Sequence, residues 1–130
     1  MNYSKTLLLL FFLLAAGISA QAQGLKMPKM DLSSQVLGIL NSNADGLNLT
    51  SDKSKILENN NKSFVDDLMK IQNGSGSDED KKASFLGLKN SRTKFLINLL
   101  GNDLFKKYAG QILKSINPLK SKLGLAALAF

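Results

Sequence analysis

The sequence contains no cysteine, no histidine and no tryptophan. Without cysteine there are no disulfides, so the fold rests on packing alone or on a partner. Without histidine and cysteine, the usual ligands for zinc, copper and haem are gone, and so is the commonest general base. No nucleophile–base pair, phosphate-cradling loop or cofactor motif stands in their place. The chain therefore reads as a non-enzyme, with no cofactor and no metal. Valine and threonine are scarce, and no stretch alternates apolar and polar residues as a half-buried strand does. What remains is a chain rich in Leu, Lys, Asn and Ser, which points to an all-α protein.

One long apolar run is present, and it lies at the start. Lys5 gives a short positive region, Leu7–Ala16 is uniformly apolar, and Ala20-Gln21-Ala22 is a small-x-small processing site. Such a core of about 7–15 residues is read by the export machinery and is too short to span a bilayer stably. Residues 1–22 are thus expected to be a signal peptide, cut after Ala22 or after Ala20, with no cysteine beside the cut to carry a lipid. The address is the periplasm or the exterior. After processing, nothing is expected to span a membrane, and residues 23–130 suffice for one small domain.

Net charge is +7, unevenly placed. Nine of the acids fall between Asp31 and Asp80, whereas from Lys81 onward Asp103 stands alone against ten basic residues. Such a chain can meet an anionic surface, an envelope polyanion or an acidic client. The plain alternative is that the two halves partly neutralise each other and the lysines are solvated faces. No nucleic-acid partner is expected, since nucleic acid is a poor partner for an exported protein with no aromatic-basic interleaving.

The punctuation divides the domain into helices. Residues 23–30, with Pro28, read as an extended lead-in. A short helix is expected near Leu32–Leu40, ended by Asn41–Gly46, and a second from Leu49-Thr50 to about Gln72. Asn73-Gly74-Ser75-Gly76 is a flexible turn. Ser77 then caps a third helix whose first turn holds Asp78, Glu79 and Asp80, where the helix dipole favours negative charge. That helix runs to Leu100, and Gly101-Asn102 interrupts it. A fourth places Leu104, Phe105, Tyr108, Ala109, Ile112, Leu113 and Ile116 inward, with Lys106, Lys107 and Lys114 outward. Asn117-Pro118 stops it and caps a final short helix that ends in Leu125, Leu128 and Phe130 and docks onto the bundle. The architecture expected is an antiparallel helical hairpin with flanking short helices, in a small single-domain bundle.

If the second and third helices fold back at Gly74–Gly76, residues whose numbers sum to about 152 lie level. Leu68 then meets Phe85, Phe64 meets Leu88, and Asn60 and Asn61 meet Arg92. A polar layer crosses an otherwise apolar hairpin. Either Arg92 lays its stem on the core and carries its head to water, or the asparagine carbonyls satisfy the guanidinium and fix the register.

Asn41-x-Asn43-x-Asp45-Gly46, closed by Asp52, follows the outline of a calcium-binding EF-hand loop. Only two carboxylates are present, and polar Asn48 sits at the normally apolar eighth place. The plain alternative is an Asn/Asp/Gly-rich helix connection.

Leu49-Thr50-Ser51-Asp52-Lys53, opening a helix, resembles the LTxxQ motif of the Spy/CpxP-like periplasmic proteins. In that motif the threonine caps the helix and the glutamine closes a capping box. Leu100-Gly101-Asn102-Asp103-Leu104, running into Lys106-Lys107-Tyr108, is similar to the second copy common in the family. Lys53 replaces the glutamine in the first copy, and Gly101 and Leu104 replace the threonine and glutamine in the second. The resemblance covers Leu47–Tyr108 and implies a small all-helical stress-response chaperone or sensor adaptor, often a curved homodimer with a basic concave face.

The leading expectation is non-catalytic binding of unfolded or envelope proteins through an apolar and basic helical surface that includes Lys106, Lys107 and Lys114. The alternative is a structural envelope protein with a weak calcium loop.

Overall fold

The computed structural model describes residues 31–130. The signal peptide expected at 1–22 and the lead-in expected at 23–30 lie outside them. The described residues are helical and include no strand. Helix α1 spans Leu32–Asp45, α2 Ser51–Asn73, α3 Asp78–Leu100 and α4 Asn102–Ile116. A 3-10 turn at Asn117–Leu119, a single helical turn α5 at Lys120–Leu123 and a 3-10 segment at Gly124–Ala129 complete the chain. No helix among the described residues is long and apolar enough to cross a membrane.

The caps are local chemistry. Thr50 Oγ1 accepts from the Lys53 N–H at 3.4 Å and opens α2, as threonine does at an N-cap. Ser77 Oγ accepts from the Asp80 N–H at 3.2 Å and opens α3, with Asp78, Glu79 and Asp80 in the first turn. The three acids therefore start a helix. Between α3 and α4 the chain turns at Gly101, whose φ of 82° lies where side chains other than glycine are strained. Gly101 ends one helix and begins the next: its N–H donates to the Ile97 carbonyl, and its carbonyl accepts from the Phe105 N–H.

The helices close into a ring in which α1 packs on α2, α2 on α3, α3 on α4, and α4 back on α1. The C-terminal 3-10 segment lies against α3 and also touches α2. One apolar core runs through the ring, with Leu40, Leu57, Leu68, Phe85, Tyr108 and Ile116 among its fully buried side chains. A domain of this size buries only part of the surface its unfolded chain exposes. Apolar side chains accordingly remain outside, notably Leu86, Leu113 and Leu128.

Three expectations need correction, the first being Leu113, placed inward by its spacing but 47% exposed on α4. Helix α1 does not stop near Leu40 but continues to Asp45. Asn43, expected to help end it, stays in the helix: its Nδ2 donates back to the Ile39 carbonyl one turn earlier at 2.9 Å and lies 3.4 Å from Ser115 Oγ on α4. The final short helix, expected to end in Leu125, Leu128 and Phe130, does dock on the bundle, with Leu125 and Phe130 packed against the core, but its last part is not α-helical. From Gly124 it is 3-10, with three residues per turn, so every third residue shares a face. Leu123, Ala126 and Ala129 are buried at that spacing, while Leu128 is 39% exposed.

Candidate functional site

Each helix of the ring contributes to one polar layer in the middle of the core. From α3, Arg92 Nη1 donates to Asn60 Oδ1 at 2.7 Å and Nη2 to Asn61 Oδ1 at 2.6 Å, both on α2. Asn61 Nδ2 donates to Asn41 Oδ1 on α1 at 3.0 Å. From α4, the Tyr108 hydroxyl donates to the Leu40 carbonyl at 2.8 Å and lies 3.3 Å from Asn61 Oδ1. Asn61 is fully buried and Arg92 is 8% exposed. The guanidinium therefore does not reach out to water; it stays inside, with its Cζ 4.4 Å from the centroid of the Phe64 ring. Phe64 in turn meets Phe130 edge to face, their centroids 5.3 Å apart. A cation over an aromatic face is attracted by the ring quadrupole, more strongly when desolvated.

Neither Arg92 nor its neighbour Lys89 has a carboxylate within ion-pair distance among the described residues. Asparagine oxygens solvate the guanidinium with dipoles but do not neutralise it. Burial accordingly holds the Arg92 pKa below the ordinary arginine range, partly offset by Tyr108. The same burial pushes the Tyr108 phenol above its ordinary value of 10, with Arg92 and the Asn61 hydrogen bond pulling it part of the way back.

The raised phenol pKa sets a pH dependence. In the unfolded chain Tyr108 loses its proton near pH 10, whereas the native chain still holds it. Between that pH and the native value the folded state binds more protons, so stability falls as pH rises. Below about pH 10 the contribution is fully present. Tyr108→Phe is expected to flatten the part of the stability–pH slope above pH 10 that the wild type shows in urea melts. An unchanged slope would mean that Tyr108 titrates as it does in the unfolded chain.

The oxygen side chains of the EF-hand outline are not gathered around a point. Asn41, Asn43 and Asp45 lie within α1, and Asp52 sits in the first turn of α2. Asn41 Oδ1 already accepts from Asn61, and Asn43 serves Ile39 and Ser115. Among the described residues no group of three or more Asp, Glu, His or Cys side chains is placed to hold a metal ion.

Lys106, Lys107 and Lys114 are exposed on α4, away from the polar layer. Lys106 and Leu113 are seven residues apart and so share a face of the helix. Leu113 is 47% exposed and forms one lip of a cleft of about 200 Å³. The cleft lies among α3, α4, Leu40 of α1 and the C-terminal segment, walled by apolar groups such as Leu96, Phe105, Ile112 and Phe130. Lys89, Arg92 and Thr93 of α3 line it too, and no acidic side chain does.

Sequence spacing brought Asn60, Asn61 and Arg92 to one level; it missed Asn41 and Tyr108. The Tyr108 signal was present, because a tyrosine on a buried stripe needs a partner for its hydroxyl. Asn41 gave none beyond its position at the end of an apolar stretch. Comparison with protein-family models, with curated proteins and with solved structures finds no match for this chain.

Proposed function

We propose that this is an exported, non-enzymatic protein of the periplasm or exterior that binds unfolded or envelope proteins in the manner of a chaperone. The observation that carries the reading is the α4 surface, where exposed Lys106, Lys107 and Lys114 flank an apolar lip that the bundle leaves open at Leu113. Such a surface holds a client by burying its apolar groups, while the lysines steer acidic segments and anionic surfaces toward it. The Thr50 cap on α2 and the helical hairpin are features that the Spy/CpxP-like proteins would also have, and a homodimer would double the basic face.

The protein at modest excess is expected to suppress aggregation of a denatured model client, and salt is expected to weaken the effect by screening. Replacing Lys106, Lys107 and Lys114 with glutamate is expected to slow capture while leaving the melting temperature unchanged, since all three are exposed. Light scattering reads the outcome. No suppression of several clients at low salt would remove the chaperone reading.

A further inference from the structure

The cleft beside α4 combines three properties that client binding neither requires nor explains. Its walls are apolar and come from α1, α3, α4 and the C-terminal segment. Two cationic residues and a hydroxyl-bearing one, Lys89, Arg92 and Thr93 at i, i+3 and i+4, line it from one face of α3, with no acidic side chain in the lining. One of those cations, Arg92, is buried without a carboxylate among the described residues. Two of its N–H groups are spent on Asn60 and Asn61, and a guanidinium carries five.

Size narrows the ligand. An enclosed apolar space of roughly 150 Å³ takes one benzene-sized ring. At about 200 Å³ the cleft, which is open on one side, has room within its walls for a ring or a single short acyl chain. An uncharged hydrocarbon would leave the buried Arg92 charge without a counter-ion, and a bare phosphate would leave the apolar walls uncovered. We infer that the cleft binds single-chain aliphatic carboxylates of medium length, the chain lying along Leu96, Phe105 and Ile112 and the carboxylate meeting Lys89, Arg92 and Thr93. The inference does not rest on chaperone activity, and the two fail separately.

The test is calorimetric titration of the full chain with decanoate below its micelle-forming concentration, alongside decanol and vesicles of phosphatidylglycerol. Decanoate is expected to saturate at one per chain and to raise the melting temperature by linkage. Decanol is expected to bind about tenfold more weakly or worse, the worth of one charge-assisted hydrogen bond. Ala109→Phe, which fills the cleft from α4, is expected to abolish decanoate binding. Lys89 is exposed, so Lys89→Glu leaves the fold alone and keeps the test open if the phenylalanine disturbs packing. It is expected to weaken decanoate but not decanol. Equal binding of decanol and decanoate, unchanged decanoate binding in both variants, or binding to the vesicles without binding to monomeric decanoate would each overturn the inference.

Discussion

Asn61→Leu is expected to lower the unfolding free energy by about 3 kcal/mol or more, the largest effect of any polar substitution in this protein. Leucine has the same branched arrangement of heavy atoms and is somewhat larger, so none of the loss comes from a cavity. The loss comes from groups left behind. Arg92 keeps a buried charge with one of its two side-chain acceptors gone, and Asn41 loses the donor to its carbonyl. For a domain of about this length, that corresponds to a fall in melting temperature of about 12 °C or more. Thermal and urea melts read it directly. A loss under about 1 kcal/mol would show that apolar packing alone holds the four helices in place.

Arg92→Ala is expected to cost about 3 kcal/mol, and Arg92→Met only about half of that. Alanine removes both the charged group that lies over Phe64 and the stem that carries it. Methionine keeps the stem, adds a favourable sulfur–aromatic contact and removes a charge that was costly to bury. Asn60 is half-buried and can turn to water, but Asn61 Oδ1 keeps only the Tyr108 hydroxyl at 3.3 Å. Methionine should therefore fall short of the wild type. A methionine variant more stable than the wild type would show that the charge is retained at the expense of the fold, in keeping with an anion in the neighbouring cleft.

The hairpin was the most legible part of the sequence because its determinants are local. Ser77 and Thr50 announce helix starts by chemistry that acts within one turn, and the glycines at 74 and 76 mark the fold-back. Once the turn is placed, the level of every residue on α2 and α3 follows from helix rise alone, which is why Arg92 could be set against Asn60 and Asn61. The remainder depended on contacts between residues distant in sequence. Asn41 and Asn43 look like terminators because asparagine competes with the helical backbone for hydrogen bonds. Here their amides bond to Asn61 on α2, and to the Ile39 carbonyl with Ser115 of α4 in reach, so α1 runs on. The C-terminal segment carried an apolar pattern readable at either 3.0 or 3.6 residues per turn. Only its seat on α3 decides between them. The cleft was illegible for the same reason, being a gap between surfaces that no single segment encodes.

The central placement of Asn61 limits how the chain can change in length. One residue added inside α2 between Thr50 and Asn61 would turn the amide by about 100° relative to the preceding turns. Either Asn61 would leave Arg92 and Asn41, or the whole N-terminal half of the helix would rotate its leucine side out of the core. The same residue added to the turn at 74–76 alters neither helix face above it. Insertions and deletions are thus tolerated at the tip of the hairpin and excluded from its waist, and length variation among any descendants of this chain should collect at the tip.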